Sequence, residues 1–173
     1  LPRLTALAVK STTKNALTKH HKTGTFKPKY PLKYIGKIKQ ISYKSSLEYL
    51  AMRHLCDENK ACIYWSSEEI EIPYYDKLTK RWRTYYPDLF MKVDAGNKKV
   101  KRIILEVKSS KMLQPPKKIN NSTSVKGKQQ NLFQAKSYIT NRCKIEAAKA
   151  YCAKNNIVFK IITEQTLKQF DNG

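Results

Sequence analysis

Two acidic residues and a lysine stand at a spacing suited to phosphate chemistry: Asp88, directly after Pro87, and Glu106, with Lys108 two residues beyond it. Side chains alternate between the two faces of a strand, so Glu106 and Lys108 project together while Leu105 and Val107 turn to the core. A turn centred near Asn97 pairs the strand that follows Asp88 with the strand that reaches Glu106, because 97 is the midpoint of 88 and 106. The spacing therefore predicts cross-strand neighbours with side chains about 5 Å apart. Carboxylates that close repel each other unless positive charge lies between them. Lys108 can pair with one, whereas a divalent cation fits both. Mg²⁺, with Mn²⁺ as the alternative ion, held by Asp88, Glu106 and the Val107 carbonyl would polarise a scissile phosphate and acidify a bound water. Lys108 would orient that water and offset the negative charge growing at phosphorus. The expected chemistry is metal-assisted phosphodiester hydrolysis.

The charge distribution agrees with such a substrate. The chain of 173 residues carries 35 Lys and Arg against 13 Asp and Glu, a formal net charge of +22. Nucleic acid is the abundant intracellular polyanion that balances a charge of this size. Residues 1–47 hold eleven bases and no acid; residues 48–106 gather ten of the thirteen acids against eleven bases; residues 107–173 return to thirteen bases and three acids. A general nucleic-acid glove has no need to collect its carboxylates in one third of the chain. With 40% hydrophobic residues there is enough for one core, which excludes two large domains. The apolar stretch from Leu4 to Val9 is too short for a membrane span or a signal-peptide core, so the reading is a soluble, intracellular protein. Cys56, Cys62, Cys143 and Cys152 form no CxxC pair and read as small core residues in a reducing compartment rather than a zinc site.

The elements that must position these groups follow from periodicity. Residues 1–25 are an acid-free, Lys- and Thr-rich arm, flexible or ordered by a partner. Phe26 to Ile41 alternates Lys with aromatics and prolines, as either a basic linker or an extended segment laid along phosphates. Ser45 to Lys60 has helical spacing, opened by a capping box between Ser45 and Glu48. Ala61 to Trp65 reads as a short strand. Glu68 to Tyr75, Arg81 to Val93 and Lys98 to Lys108 read as a three-stranded antiparallel meander, with Glu69 and Glu71 on one strand face, as solvent-facing acids or, alternatively, reaching the site. Residues 109–128 are a loop, and Gln129–Asn155 a helix with an expected break near Thr140 and Asn141. Ile157–Thr163 is a continuous apolar run, predicted as an internal strand. A short helix follows, with Thr163 as its N-cap. Lys144 is expected to be solvated or to contact phosphate, and the tryptophans and tyrosines to serve the core or an interface.

Pro87-Asp88 followed by Glu106-Val107-Lys108, on a hairpin preceded by a helix bearing Glu48, resembles the PD-(D/E)XK nuclease superfamily. More narrowly, FKPKYPLKY, WSSEE, IPYYDKLTKRWRTYYPDLF, EVK and the AAKAYC…FKIITEQTL ending resemble the head-completion nucleases of large contractile-tailed phages, from about Phe26 to Leu167. The resemblance implies an α/β restriction-endonuclease-like core over residues 26–173: a central mixed sheet with an antiparallel meander, flanked by helices. It places Glu48, Asp88, Glu106 and Lys108 at the superfamily's active-site positions, Glu48 joining Asp88, Glu106 and Val107 around the metal. It further implies double-stranded DNA as substrate, portal, neck and head proteins as partners, no membrane, and a place at the head-tail neck of the virion after assembly in the host cytoplasm. There the protein would finish the DNA-filled head before the tail joins, trimming the packaged DNA end as one form of that work. The competing readings are a catalytically idle neck protein that grips portal and packaged DNA, and a basic RNA-binding or organelle protein.

Overall fold

The computed structural model describes residues 23–116, 124–168 and 170. The arm expected over residues 1–25 lies outside the described residues as far as Lys22, while Gly24–Thr25 form a short strand, β1, antiparallel to β2 (Ser42–Tyr43). Helix α1 (Ser46–Leu50) runs directly into a π-helical segment, Ala51–Asp57, where the periodicity predicts α-helix throughout. The wider turn, seen in the Glu58 N–H bond to the Arg53 carbonyl, puts residues five apart on one face. Met52 and Asp57 are so related, and both are buried.

The central sheet has the order β3-β6-β7-β8, with β3 Cys62–Ser67, β6 Leu89–Asp94, β7 Val100–Val107 and β8 Val158–Ile162. The first three strands are antiparallel and β8 is parallel to β7, reached through α2 (Val125–Asn155) as a parallel pair requires. The fold is thus the mixed α/β architecture expected, with an antiparallel meander inside it. The meander's first strand is β3, however, and not Glu68–Tyr75. Residues 72–85 instead fold into a separate hairpin, β4 (Ile72–Asp76) with β5 (Arg81–Tyr85). The single strand expected over Arg81–Val93 breaks at Tyr86–Asp88, because Pro87 has no N–H for a ladder and so ends β5 before β6 begins.

Both faces of β7 are covered. Leu105 and Val107 join Trp65, Leu89, Met91, Met52 and Cys56 on one side; Ile104 joins Ile72, Tyr74, Tyr85, Cys143, Ala148 and Cys152 on the other. All four cysteines are free and buried, as small core residues. The Phe26–Ile41 segment is not a solvated linker: Phe26, Tyr34 and Ile41 are buried, and both Phe26 and Tyr34 meet Trp65 edge-on.

Two further expectations change. α2 is continuous through Thr140 and Asn141, since their weak helix propensity costs only tenths of a kcal/mol each, roughly, and Cys143, Ala148 and Cys152 anchor its second half. β8 is an edge strand, and its apolar run is only partly covered, Val158 being exposed. α3 (Glu164–Lys168) follows as expected; at its start the Thr163 N–H donates to the Thr166 hydroxyl, and Glu164 accepts from the Ser110 N–H and hydroxyl, fastening the segment after β7. Among the described residues, no helix is long and apolar enough to cross a membrane.

Candidate active site

Strand register delivers the juxtaposition that the spacing predicts. Leu89 pairs with Leu105, so the same antiparallel register sets Asp88 opposite Glu106. Asp88 Oδ2 accepts the Val107 N–H at 2.7 Å, which fixes this carboxylate at the end of β7 just where Pro87 has ended β5. Glu106 is a buried carboxylate, on the same face of β7 as Ile104. Its Oε1 takes the Lys108 ammonium, and its Oε2 the Tyr85 hydroxyl. Asp88, Glu106 and Lys108 are therefore brought together.

The electrostatics follow from this packing. Burial pushes the Asp88 carboxyl well above the ordinary carboxylate range, and the neighbouring Glu106 charge pushes it further. Lys108 is pulled down by burial, but Glu106 more than restores it, so the amine lies above its usual value and carries its proton. Tyr85 is raised by burial and by Glu106, which keeps its hydroxyl a donor. Two carboxylates thus share one ammonium in a largely dry site, leaving excess negative charge.

Glu48 stands differently. Ser45 caps α1 by accepting the Glu48 N–H at 3.2 Å, and the Glu48 carboxylate takes the Ser45 hydroxyl and, at 2.7 Å, the Lys44 N–H. Its charge still raises Asp88 and Lys108, so it lies within electrostatic reach of the pair. Glu69 accepts the Lys37 N–H and Glu71 the Tyr86 hydroxyl, both as exposed structural contacts. Lys144 is half-buried, and its ammonium lies over the Tyr85 and Tyr74 rings, 5.6 and 5.9 Å from their centroids.

Sequence reasoning misses Tyr85, and also the Lys44–Glu68 ion pair at the rim, where the Glu68 N–H donates to the Asp88 carbonyl at 3.3 Å. Tyr85 lies in β5, outside the central sheet, and meets Glu106 only because the chain turns at Pro87. Glu68 has a left-handed backbone, φ 54°, that ends β3 and turns the chain toward Asp88. A bend at Pro87, two residues after Tyr85, is the one signal that points to the tyrosine.

The donor chemistry suits a hard divalent cation. Among the described residues no group of three or more His, Cys, Asp or Glu side chains forms a ready-made cage. Mg²⁺ in nucleotide-processing sites characteristically takes one or two carboxylates and completes its shell with water and substrate phosphate, so Asp88 and Glu106 meet that pattern. Zinc, which favours three or four His and Cys ligands, finds no such set here.

A family model described as TnsA-like endonuclease N terminal matches residues 59–164, a span holding Asp88, Glu106 and Lys108 and excluding Glu48. The head completion nuclease of Enterobacteria phage T4 is 32% identical over 146 residues, covering 84% of this chain and 93% of that protein. No solved structure matches the chain. With its mixed sheet and the acidic pair where the start of β6 meets the end of β7, the chain belongs to the PD-(D/E)XK nuclease superfamily through a TnsA-like endonuclease domain, as a relative of the phage T4 head completion nuclease.

Proposed function

We propose that this protein is a divalent-metal-dependent endodeoxyribonuclease that acts on double-stranded DNA while a phage head is completed, at the portal and neck, before tail joining. The observation that carries the chemistry is the register placing Asp88 against the end of β7, where Glu106 holds the Lys108 ammonium. The head-completion setting is supported by the T4 relative and the net charge of +22.

Asp88, Glu106 and the Val107 carbonyl would hold the cation, with Glu48 as an outlying carboxylate; Mg²⁺ is the ion proposed and Mn²⁺ its substitute. When bound, the cation supplies Lewis-acid polarisation of the scissile phosphate and a more acidic water. The chain's own groups do the rest. Tyr85 holds the far oxygen of Glu106, so that carboxylate keeps one orientation. Lys108 stays protonated, and its fixed positive charge faces the negative charge that grows at phosphorus as the water attacks. The leaving 3′ oxygen takes its proton from solvent. Lysines on the flanks neutralise backbone phosphates and hold the duplex.

Supercoiled plasmid incubated with the purified protein tests this reading. Nicking is expected with Mg²⁺ or Mn²⁺ and none with chelator or Ca²⁺; cleavage that survives chelation would overturn the metal-dependent reading. Restoration of head assembly by an inactive Asp88→Ala protein would assign a structural neck role instead.

Tyr85→Phe removes one hydroxyl from Glu106. An outer partner of a metal-ligating carboxylate is usually worth about 10–100-fold in metal affinity or activity. The variant is expected to need a higher Mg²⁺ concentration for half-maximal nicking, with an unchanged circular-dichroism spectrum; an unshifted metal titration would show that Tyr85 only packs.

A further inference from the structure

The β4–β5 hairpin leans on the second half of α2 and leaves a slot of about 480 Å³, walled by Pro73, Tyr74, Tyr75, Trp82, Ala147 and Tyr151. Trp82 is 72% exposed and is braced edge-on by Tyr75, 5.8 Å away. The rim is cationic: Lys77 and Lys154 line the slot, and the exposed Lys80 and Arg81 lie at the hairpin tip. Glu146 also lines it, but that carboxylate pairs with both Lys77, at 3.5 Å, and Arg142, at 3.6 Å.

Tyr74 forms part of the slot wall and Tyr85 holds Glu106, and one ammonium, Lys144, lies over both rings.

We propose that this slot binds an unpaired nucleobase, stacked on Trp82. An aromatic wall with a cationic rim is the chemistry that holds single-stranded nucleic acid. A base inside a duplex offers only its edge, so the slot selects DNA with a frayed or single-stranded end. This rests on the nuclease reading only for DNA as the ligand.

Trp82 and Trp65 are the only tryptophans, and Trp65 is fully buried, so acrylamide quenching of emission reports on Trp82. In metal-free buffer, a duplex with a single-stranded overhang is expected to shield Trp82 and to bind about tenfold more tightly than the matched blunt duplex, as one stacked base allows. Trp82→Phe should keep the preference and lose the signal, whereas Trp82→Ala, followed by anisotropy of labelled DNA, should bind both duplexes equally at the blunt affinity. Asp88→Ala should retain the preference, so failure of cleavage and failure of stacking are separable. Equal protection by both duplexes, equal weakening of both by Trp82→Ala, or protection by polyglutamate matching that by DNA would overturn the proposal.

Discussion

Asp88→Asn and Lys108→Ala are each expected to lower Mg²⁺-dependent plasmid nicking by about three orders of magnitude, while moving stability in opposite directions. For Lys108 the activity loss follows from removing a preorganised positive charge that faces the transition state, where a single electrostatic group is worth about 10²–10³ in rate, and for Asp88 from removing a carboxylate that would hold the cation. Asparagine preserves the oxygen that accepts the Val107 N–H at 2.7 Å, so the backbone junction between β6 and β7 stays in place. It removes one of two buried carboxylates that share a single ammonium, and metal-free Asp88→Asn should therefore melt no lower than the parent protein. Lys108→Ala does the reverse. Glu106 is then left buried with only the Tyr85 hydroxyl, at a cost of about 2 kcal/mol, less than for a fully buried pair because Lys108 keeps some exposure. Thermal melts in chelator, beside nicking assays at a temperature where both variants are folded, read the two effects separately. Normal nicking by Asp88→Asn would remove this carboxylate from the chemistry.

The part of the site that local geometry controls is legible in the residue order. Period-two alternation puts Glu106 and Lys108 on one face, and a tight turn near Asn97 sets the Asp88–Glu106 register, which β6 and β7 reproduce through Leu89 and Leu105. Other features depend on contacts between distant segments. By pattern alone Pro87 falls inside one strand, yet its missing N–H divides that strand between two sheets, and this division brings Tyr85 to Glu106. The apolar run of β8 suggests an internal strand, although a strand beneath a long helix is covered on a face while its edge stays unpaired. Composition makes Phe26–Ile41 look like a basic rail, because its lysines outnumber the three side chains that matter. Phe26, Tyr34 and Ile41 are buried, and lysine stems on the outside carry the charge without affecting the packing.

That segment leads to the largest expected loss of stability, from Asp57→Ala. Asp57 is 1% exposed at the end of the π-helical segment, where a carboxylate is opposed by the helix dipole. What holds it is the segment itself: its oxygens accept the Lys29 N–H at 2.7 Å and the Tyr30 N–H at 3.1 Å. Lys33 closes the contact by donating to the Asp57 and Asn59 carbonyls at 3.1 and 2.9 Å, capping backbone groups that the helix end leaves unpaired. Alanine strips two N–H groups of a charged partner at once. At about 1.5 kcal/mol for each such bond the loss is about 3 kcal/mol, which for a chain of this length lowers the melting temperature by roughly 6–12 °C. The loosened segment is the one that sets Tyr34 on Trp65 at 4.7 Å and the Lys37 N–H on Glu69, one residue from the Glu68 that pairs with Lys44 at the active-site rim. Nicking should therefore be near normal well below the melting temperature and fall with unfolding, unlike Asp88→Asn, which is expected to be inactive while folded. An unchanged melting curve by circular dichroism would show that the aromatic contacts with Trp65 alone hold the segment.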